Sequence, residues 1–306
     1  FSYGSHSVMP PTVESTGAAC RSLRWAISLK ETASSPHFEL LLRRAWQALP
    51  EADVAAQRRF RYRDDALATT LGRVMVRRAV SDMLSVPWHS IDDRIVRSAK
   101  NKPEDKEGEV AFNVSHQGDL VVLAASTLPE DAAIGVDVMR LDHDEGGAEV
   151  RIRRLTKAFT PRERQYMLEH ATESSKWRAF YRIWCLKESV LKATGQGIAT
   201  DLGALEFRLG NQAHEPGCFI TSTTYEESGE PRPQFSFEES FIGDDHTVAV
   251  ARILRDGKGA DGGKFKRLFS MVDLSFLLEP SSSVNMSEDC AAEEYDCFLA
   301  KEWKSC

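Results

Sequence analysis

At 306 residues with 42% apolar side chains, the chain can bury a sizeable core in two structural units. Its net charge of −7 excludes binding of nucleic acid by the whole surface, and the lack of a run of about eighteen apolar residues excludes a transmembrane helix. Its six cysteines show neither CxxC nor metal-finger spacing, which excludes a disulfide framework and points to the reducing cytosol.

Residues 1–20 are small, polar and proline-containing, without the apolar stretch of a signal peptide; they read as a disordered leader, with Met9 an alternative start. RSLRWAISL follows, and the alternation of Leu23, Trp25, Ile27 and Leu29 predicts a strand. PHFELLLRRAWQAL reads as a helix that starts near Pro36 and ends before Pro50. DALATTLGRVMVRRAVSDML carries Leu67, Leu71, Val74, Met75, Met83 and Leu84 at helical spacing and ends before VPWHSI. From Arg58 to Lys102 the chain is rich in base, and a local basic region in an acidic chain suits a small anionic ligand better than a polymer.

After the polar turn RSAKNKPEDKEGE, VAFNVSH and LVVLAAST read as strands joined by QGD, and AIGVDVM as a third. The second half repeats this logic. A basic helical region (Arg151 to Phe159) precedes a helix capped at Thr160-Pro161 and the apolar helix FYRIWCLKESVLKAT. Strands are predicted near LEFRL, GCFITSTTY, PQFSFEES and HTVAVARIL. The expectation is an α+β chain of two similar subdomains, 21–136 and 137–256, facing each other. Residues 257–306 read as linker and tail, with FKRLFSMVDLSFLLEP a docking segment and the remainder disordered.

Three fragments carry candidate chemistry. In FNVSHQGD, Asn113 and Ser115 face away from Phe112 and Val114, and His116-Gln117-Gly118-Asp119 ends the strand. Backbone amides, a hydroxyl and an imidazole there suit phosphate oxygens; a plain β-turn with a surface histidine is the favoured reading of the fragment taken alone. In AIGVDVMR, Asp137 projects opposite the valines, and a buried carboxylate needs a partner, a metal or a proton. An arginine ion pair is the simplest partner. In the third fragment, Glu188 and Lys192 stand one turn apart on a helix too apolar for a solvated surface pair. A hard-cation site shared by Asp137 and Glu188 would resolve both acids, since Mg²⁺ uses one or two carboxylates plus phosphates and waters. Lys187 falls inside the apolar arc and either extends to the same cleft or pairs with an acid elsewhere.

In this order FNVSHQGD, IGVDVM and WCLKESVLK resemble the 4′-phosphopantetheinyl transferase superfamily, Sfp type. In that family an (I/V)G(I/V)D strand precedes a helix reading W-x-x-K-E-(S/A)-x-x-K. RFRYRDDA, LGRVMVRR, VPWHSI, RSAKNKP and GQGI extend the match from about Arg21 to about Leu254. The resemblance implies a pseudodimeric α+β fold with the active site in the cleft between two similar α/β subdomains. It implies transfer of 4′-phosphopantetheine from coenzyme A to a serine of apo acyl or peptidyl carrier proteins, releasing adenosine 3′,5′-bisphosphate. The matching positions would contact coenzyme A at Arg97, Ser98, Ala99, Lys100, Asn101 and Lys102, and near its phosphates at Asn113, Val114, Ser115 and His116. The family's upstream coenzyme A arginine aligns with Ala55 or Ala56, leaving Arg58 to take that role.

Asp137 and Glu188 would hold Mg²⁺, and Lys192 would meet the pyrophosphate. Bacterial members have a second acid two residues after the strand aspartate. Here that place is Met139, whose thioether suits a hard cation poorly, so Gln117 is the expected third ligand, directly or through water. Glu188 and Lys192 are the expected catalytic pair, Glu188 accepting the serine proton. Expected partners are carrier domains of cytosolic fatty acid synthase, of mitochondria and of aminoadipate-type dehydrogenases, met by a cytosolic monomer that binds neither nucleic acid nor membrane. The basic Arg151 to Arg154 cluster is a candidate docking patch for their acidic helices. The alternative is a non-catalytic module with the same coenzyme A pocket.

Overall fold

The computed structural model describes residues 21–100, 102–143, 145–197, 200–257, 267–281 and 285–304. The expected leader (1–20) and Asn101 lie outside the described residues. In β1 (Ser22–Ser28), Leu23, Trp25 and Ile27 enter one apolar core and Ala26 another, as alternation requires. The helices α1 (Leu29–Ala33), α2 (Phe38–Gln47) and α3 (Glu51–Ala55) follow. α2 starts just past Pro36 and buries Leu42, Ala45 and Trp46 at helical spacing. α4 (Arg63–Leu84) is the long helix of the first half. Asp64 and Asp65 occupy its first turn, where the helix dipole favours acids, and Ser85 closes it in the left-handed region at φ 56°. Its Leu67, Leu71, Val74 and Met75 are fully buried, each contributing about 1.5–3 kcal/mol by leaving water.

The hairpin β2 (Ile95–Arg97) and β3 (Pro103–Asp105) leads into β4 (Ala111–Gln117) and β5 (Leu120–Ser126), which turn at Gly118 with φ +60°. The second half contains β6 (Asp131–Arg140), α5 (Ala148–Arg154), α6 (Pro161–Glu169) and α7 (Glu173–Thr194). After these come β7 (Leu205–Arg208), β8 (Thr224–Glu227) and β9 (Glu230–Pro231) in a small sheet, then β10 (Phe235–Ile242) and β11 (His246–Leu254). α6 opens at Thr160 with a capping box closed by Glu163, and α7 ends at Gly195 with φ +63°, as their sequences predict. GCFITSTTY departs from expectation. Only Thr224 and Tyr225 enter a strand, Ile220 makes an isolated bridge to Glu239, and Gly217 at φ +84° turns the chain.

One sheet has the order β12-β1-β5-β4, where β12 (Ser270–Met271) pairs parallel to β1; the other is the antiparallel β10-β11-β6. α4 covers β4 and β5, and α7 covers β6 and β11. The two halves are therefore each a long helix on a sheet, antiparallel apart from β12, and the fold is α+β. They meet where β4 runs beside β6. Val136 N–H donates to Asn113 Oδ1 (2.9 Å), and Arg140 N–H to Gln117 Oε1 (2.5 Å). An apolar seam of Leu120, Val122 and Ala124 against Ile134, Val136 and Val138 lies between the sheets. β6 runs unbroken through residues 136 and 137, so the chain passes between the halves in the turn ahead of it.

The docking segment of the tail packs as expected, and the remainder differs from its sequence reading. α8 (Leu274–Leu278) buries Leu274, Leu277 and Leu278 in the first core. Residues beyond it, expected to be disordered, form α9 (Glu288–Leu299), capped by Ser287 and docked on α2 through buried Ala291 and Phe298. The apolar positions of α9 recur every three or four residues, which outweighs its acidic composition once α2 supplies a face to cover.

Candidate active site

β6 and α7 bring the candidate acids together. Gly135 is where they cross: a Cβ added there would stand 2.1 Å from the Ser189 carbonyl oxygen and 2.2 Å from the Ala193 nitrogen. Only glycine permits this approach. Two residues on, Asp137 faces the helix, and its carbonyl accepts the Cys185 thiol (2.9 Å). Burial first, then Asp137, hold that thiol well above its ordinary pKa, so it stays protonated.

Lys192 Nζ donates to Asp137 Oδ1 (2.5 Å) and to Ser115 Oγ (2.6 Å), and Ser115 in turn donates to Asp137 Oδ1 (3.0 Å). Asp137 is 5% exposed and Lys192 28%, so the carboxylate is buried while the ammonium stays partly open to solvent. Asp137 therefore has a cation partner, as a buried carboxylate requires, but it is the family lysine and not an arginine. Its Oδ2 is buried without a partner. Glu188, half-buried one turn before Lys192, is held above the usual carboxylate range by burial first and by Asp137 next.

A carboxylate raised by burial and by a second one beside it, the second with an orphaned oxygen, fits a hard divalent cation. Among the described residues no three His, Cys, Asp or Glu side chains cluster for a metal. A cation here would take two protein carboxylates and complete its shell with phosphate oxygens and water, the usual habit of Mg²⁺. Gln117 is not brought to these acids: its Oε1 accepts the Arg140 N–H, three residues beyond Asp137, and straps β4 to β6.

His116 stands on the exposed side of β4. Although much of its ring surface is open, the surrounding protein strips enough hydration to push it below the ordinary imidazole range, with Lys192 adding to the effect. Asn113 is used as the strap to Val136, and Val114 packs against the first core. In the turn after β2, Ser98 N–H donates to the Lys102 carbonyl (2.9 Å) and Lys102 N–H to Ser98 Oγ (3.1 Å), with Ala99 exposed at the tip. Lys100 and Lys102 are turned to the end of α7, donating to the carbonyls of Thr194 (2.9 Å) and Ala193 (3.3 Å).

Arg58 does not reach this cleft. Its guanidinium is bound to the buried Glu294 of α9, which holds its pKa above the ordinary value, and it serves the tail. Within the basic stretch expected to meet a small anion, Arg73 and Arg77 lie on α4. Arg77 bridges Asp53 (2.9 Å) and Asp92 (3.0 Å), while burial lowers the pKa of Arg73 and Arg97, Arg77 and Arg59 crowd it. The i, i+4 spacing of Arg73 and Arg77 puts both on one face of that helix.

Lys187 is resolved. Its ammonium is fully buried and pairs with Glu163 (2.8 Å) while donating to the carbonyls of Leu202 (2.8 Å) and Leu205 (2.5 Å). Glu163 also accepts from the N–H groups of Thr160 (2.9 Å) and Phe207 (3.2 Å), so both charges are satisfied. Lys187 thus belongs to the core and not to the cleft.

Two family models match the chain: "4′-phosphopantetheinyl transferase, N-terminal" over residues 35–128 and "4′-phosphopantetheinyl transferase superfamily" over 133–251. Among similar proteins, the L-aminoadipate-semialdehyde dehydrogenase-phosphopantetheinyl transferase of Homo sapiens is 33% identical over 92% of both chains. A phosphopantetheinyl transferase of Thraustochytrium is 31% identical over 80% of this chain and 83% of its own. The 4′-phosphopantetheinyl transferase psf-1 of Bacillus pumilus is 30% identical over 54% of this chain and 70% of its own.

Proposed function

The chain belongs to the 4′-phosphopantetheinyl transferase superfamily and transfers the phosphopantetheinyl arm of coenzyme A to carrier proteins; we propose that it does so with Mg²⁺ held by Asp137 and Glu188. The observation that carries this reading is Glu188 raised by burial and by Asp137, with Asp137 Oδ2 orphaned and Lys192 beside it. When bound, Mg²⁺ neutralises and orients the pyrophosphate of coenzyme A.

A carrier serine oxygen forms a bond to the β-phosphorus. The bond from that phosphorus to the bridging oxygen breaks, and its electron pair leaves with adenosine 3′,5′-bisphosphate. Glu188 accepts the serine proton; its raised pKa brings it closer to the working pH of a general base. Lys192 supplies fixed positive charge beside the leaving group. Arg97, whose charge is felt by Arg73 on α4, is the arginine proposed to meet the coenzyme's remaining phosphate, while Arg73 itself pairs with Asp53.

Carriers of the acyl and aminoadipate-activating kinds are the proposed partners, met by a monomer in the cytosol. Exposed Arg153 and Arg154 on α5 offer charge for an acidic carrier helix. The test is to incubate the chain with an apo carrier protein and coenzyme A, with Mg²⁺ or with EDTA, and to weigh the carrier by mass spectrometry. A phosphopantetheinyl mass gain that requires Mg²⁺ is expected. Gain in EDTA would sink the metal role, and no gain on any carrier would leave a coenzyme A binder.

A further inference from the structure

The turn between β2 and β3 resembles a coenzyme A-contacting loop, yet both its lysines are engaged with backbone. Lys100 Nζ donates to Thr194 C=O (2.9 Å), and Lys102 Nζ to the carbonyls of Ile134 (3.2 Å) and Ala193 (3.3 Å). Ala193 and Thr194 form the last turn of α7, whose carbonyls lack helical partners and carry the negative end of the helix dipole. Ile134 precedes Gly135, the point at which α7 touches β6. One ammonium from the first half therefore grips strand and helix of the second half at their crossing. Asp137 follows Ile134 by three residues, and Lys192 adjoins Ala193.

Lys102 is largely sheltered, and burial lowers its pKa to about 8 against the pull of Glu104, with Lys100 adding to the fall. Its donors are already directed at protein oxygens, which suits a fastening better than a phosphate contact.

We infer that Lys102 is a positioning residue for the transfer reaction: it fastens the β6–α7 crossing that sets Asp137 against Glu188 and does not itself bind the phosphates of coenzyme A. This deepens, and rests on, the transferase reading of the same cleft.

The test uses the full chain with Lys102→Met and Lys102→Arg. Three quantities are compared: carrier loading, binding of adenosine 3′,5′-bisphosphate by calorimetry, and hydrogen exchange in 134–136 and 189–194. Lys102→Met is expected to lower kcat by about tenfold or more while bisphosphate affinity shifts by less than about threefold. Exchange at the crossing should quicken in the same variant. Lys102→Arg keeps charge and donors and is expected to recover kcat to within about fivefold of the parent. A bisphosphate affinity weakened by about tenfold in Lys102→Met, or a kcat left intact, overturns the positioning role. If Lys102→Met does not fold, Lys102→Gln, which retains an N–H donor, carries the same comparison. Failure of the unmodified chain to load any carrier would instead sink the transferase reading. Exchange at the crossing then decides the fastening by itself, and unchanged exchange overturns it.

Discussion

Glu188 occupies a place where its charge is a burden to the fold, and the proposed reaction uses it as a base. Its folded pKa lies above its unfolded value, so the native state holds the proton more tightly, and ionisation on raising the pH costs stability. In metal-free buffer Glu188→Gln should therefore melt at or above the parent temperature at neutral pH, with the difference closing in acid, as thermal scans across pH would show. The same variant should lose about 10²–10⁴ in transfer rate. A parent-like rate in carrier loading would move the base elsewhere. Lys187 carries the opposite assignment. Removing its charge with Lys187→Met leaves Glu163 buried and unpaired, at a cost of about 3–5 kcal/mol in urea unfolding. Lys187→Met combined with Glu163→Gln should recover part of that loss, because the stranded charge goes with its partner.

Among elements, the long helices, the hairpin of β4 and β5, and the strand β6 were legible because their apolar periods were long and their caps explicit. Asp137, Glu188 and Lys192 were picked out through motif order, and the structure pairs Lys192 with Asp137 and lets the charge of Asp137 act on Glu188, one turn before Lys192 on α7. Gln117 and Arg58 were misplaced for a common reason: each has a long polar side chain whose partner, Arg140 N–H or Glu294, lies far away in sequence. The same distance hid Glu163 from Lys187. α9 was lost because its acidic residues and the linker before it outweighed the spacing of Ala291, Tyr295 and Phe298. Phe298 now packs beside Trp46 and Tyr295, so Phe298→Ala should cost about 3–5 kcal/mol, read from the shift in urea midpoint. A loss under about 1 kcal/mol would show α9 to be peripheral.

The whole molecule is a pair of helix-covered sheets, and the proposed site draws on both of them. Ser115 and the turn lysines come from the first half, and Asp137, Glu188 and Lys192 from the second. Ligand that needs both halves should weld them together. Saturating Mg²⁺ with adenosine 3′,5′-bisphosphate, at about a hundred times the dissociation constant, should add about 2.7 kcal/mol. Either ligand alone should add clearly less, and equal shifts by differential scanning calorimetry would deny the shared site. The contact at Gly135 limits how this protein can change. With no room for even one methyl between strand and helix, the distance between Asp137 and Glu188 has no adjustable spacer. A lineage that broadens or narrows its choice of carrier must therefore do so at the periphery, leaving the chemistry of the centre inherited as a single block.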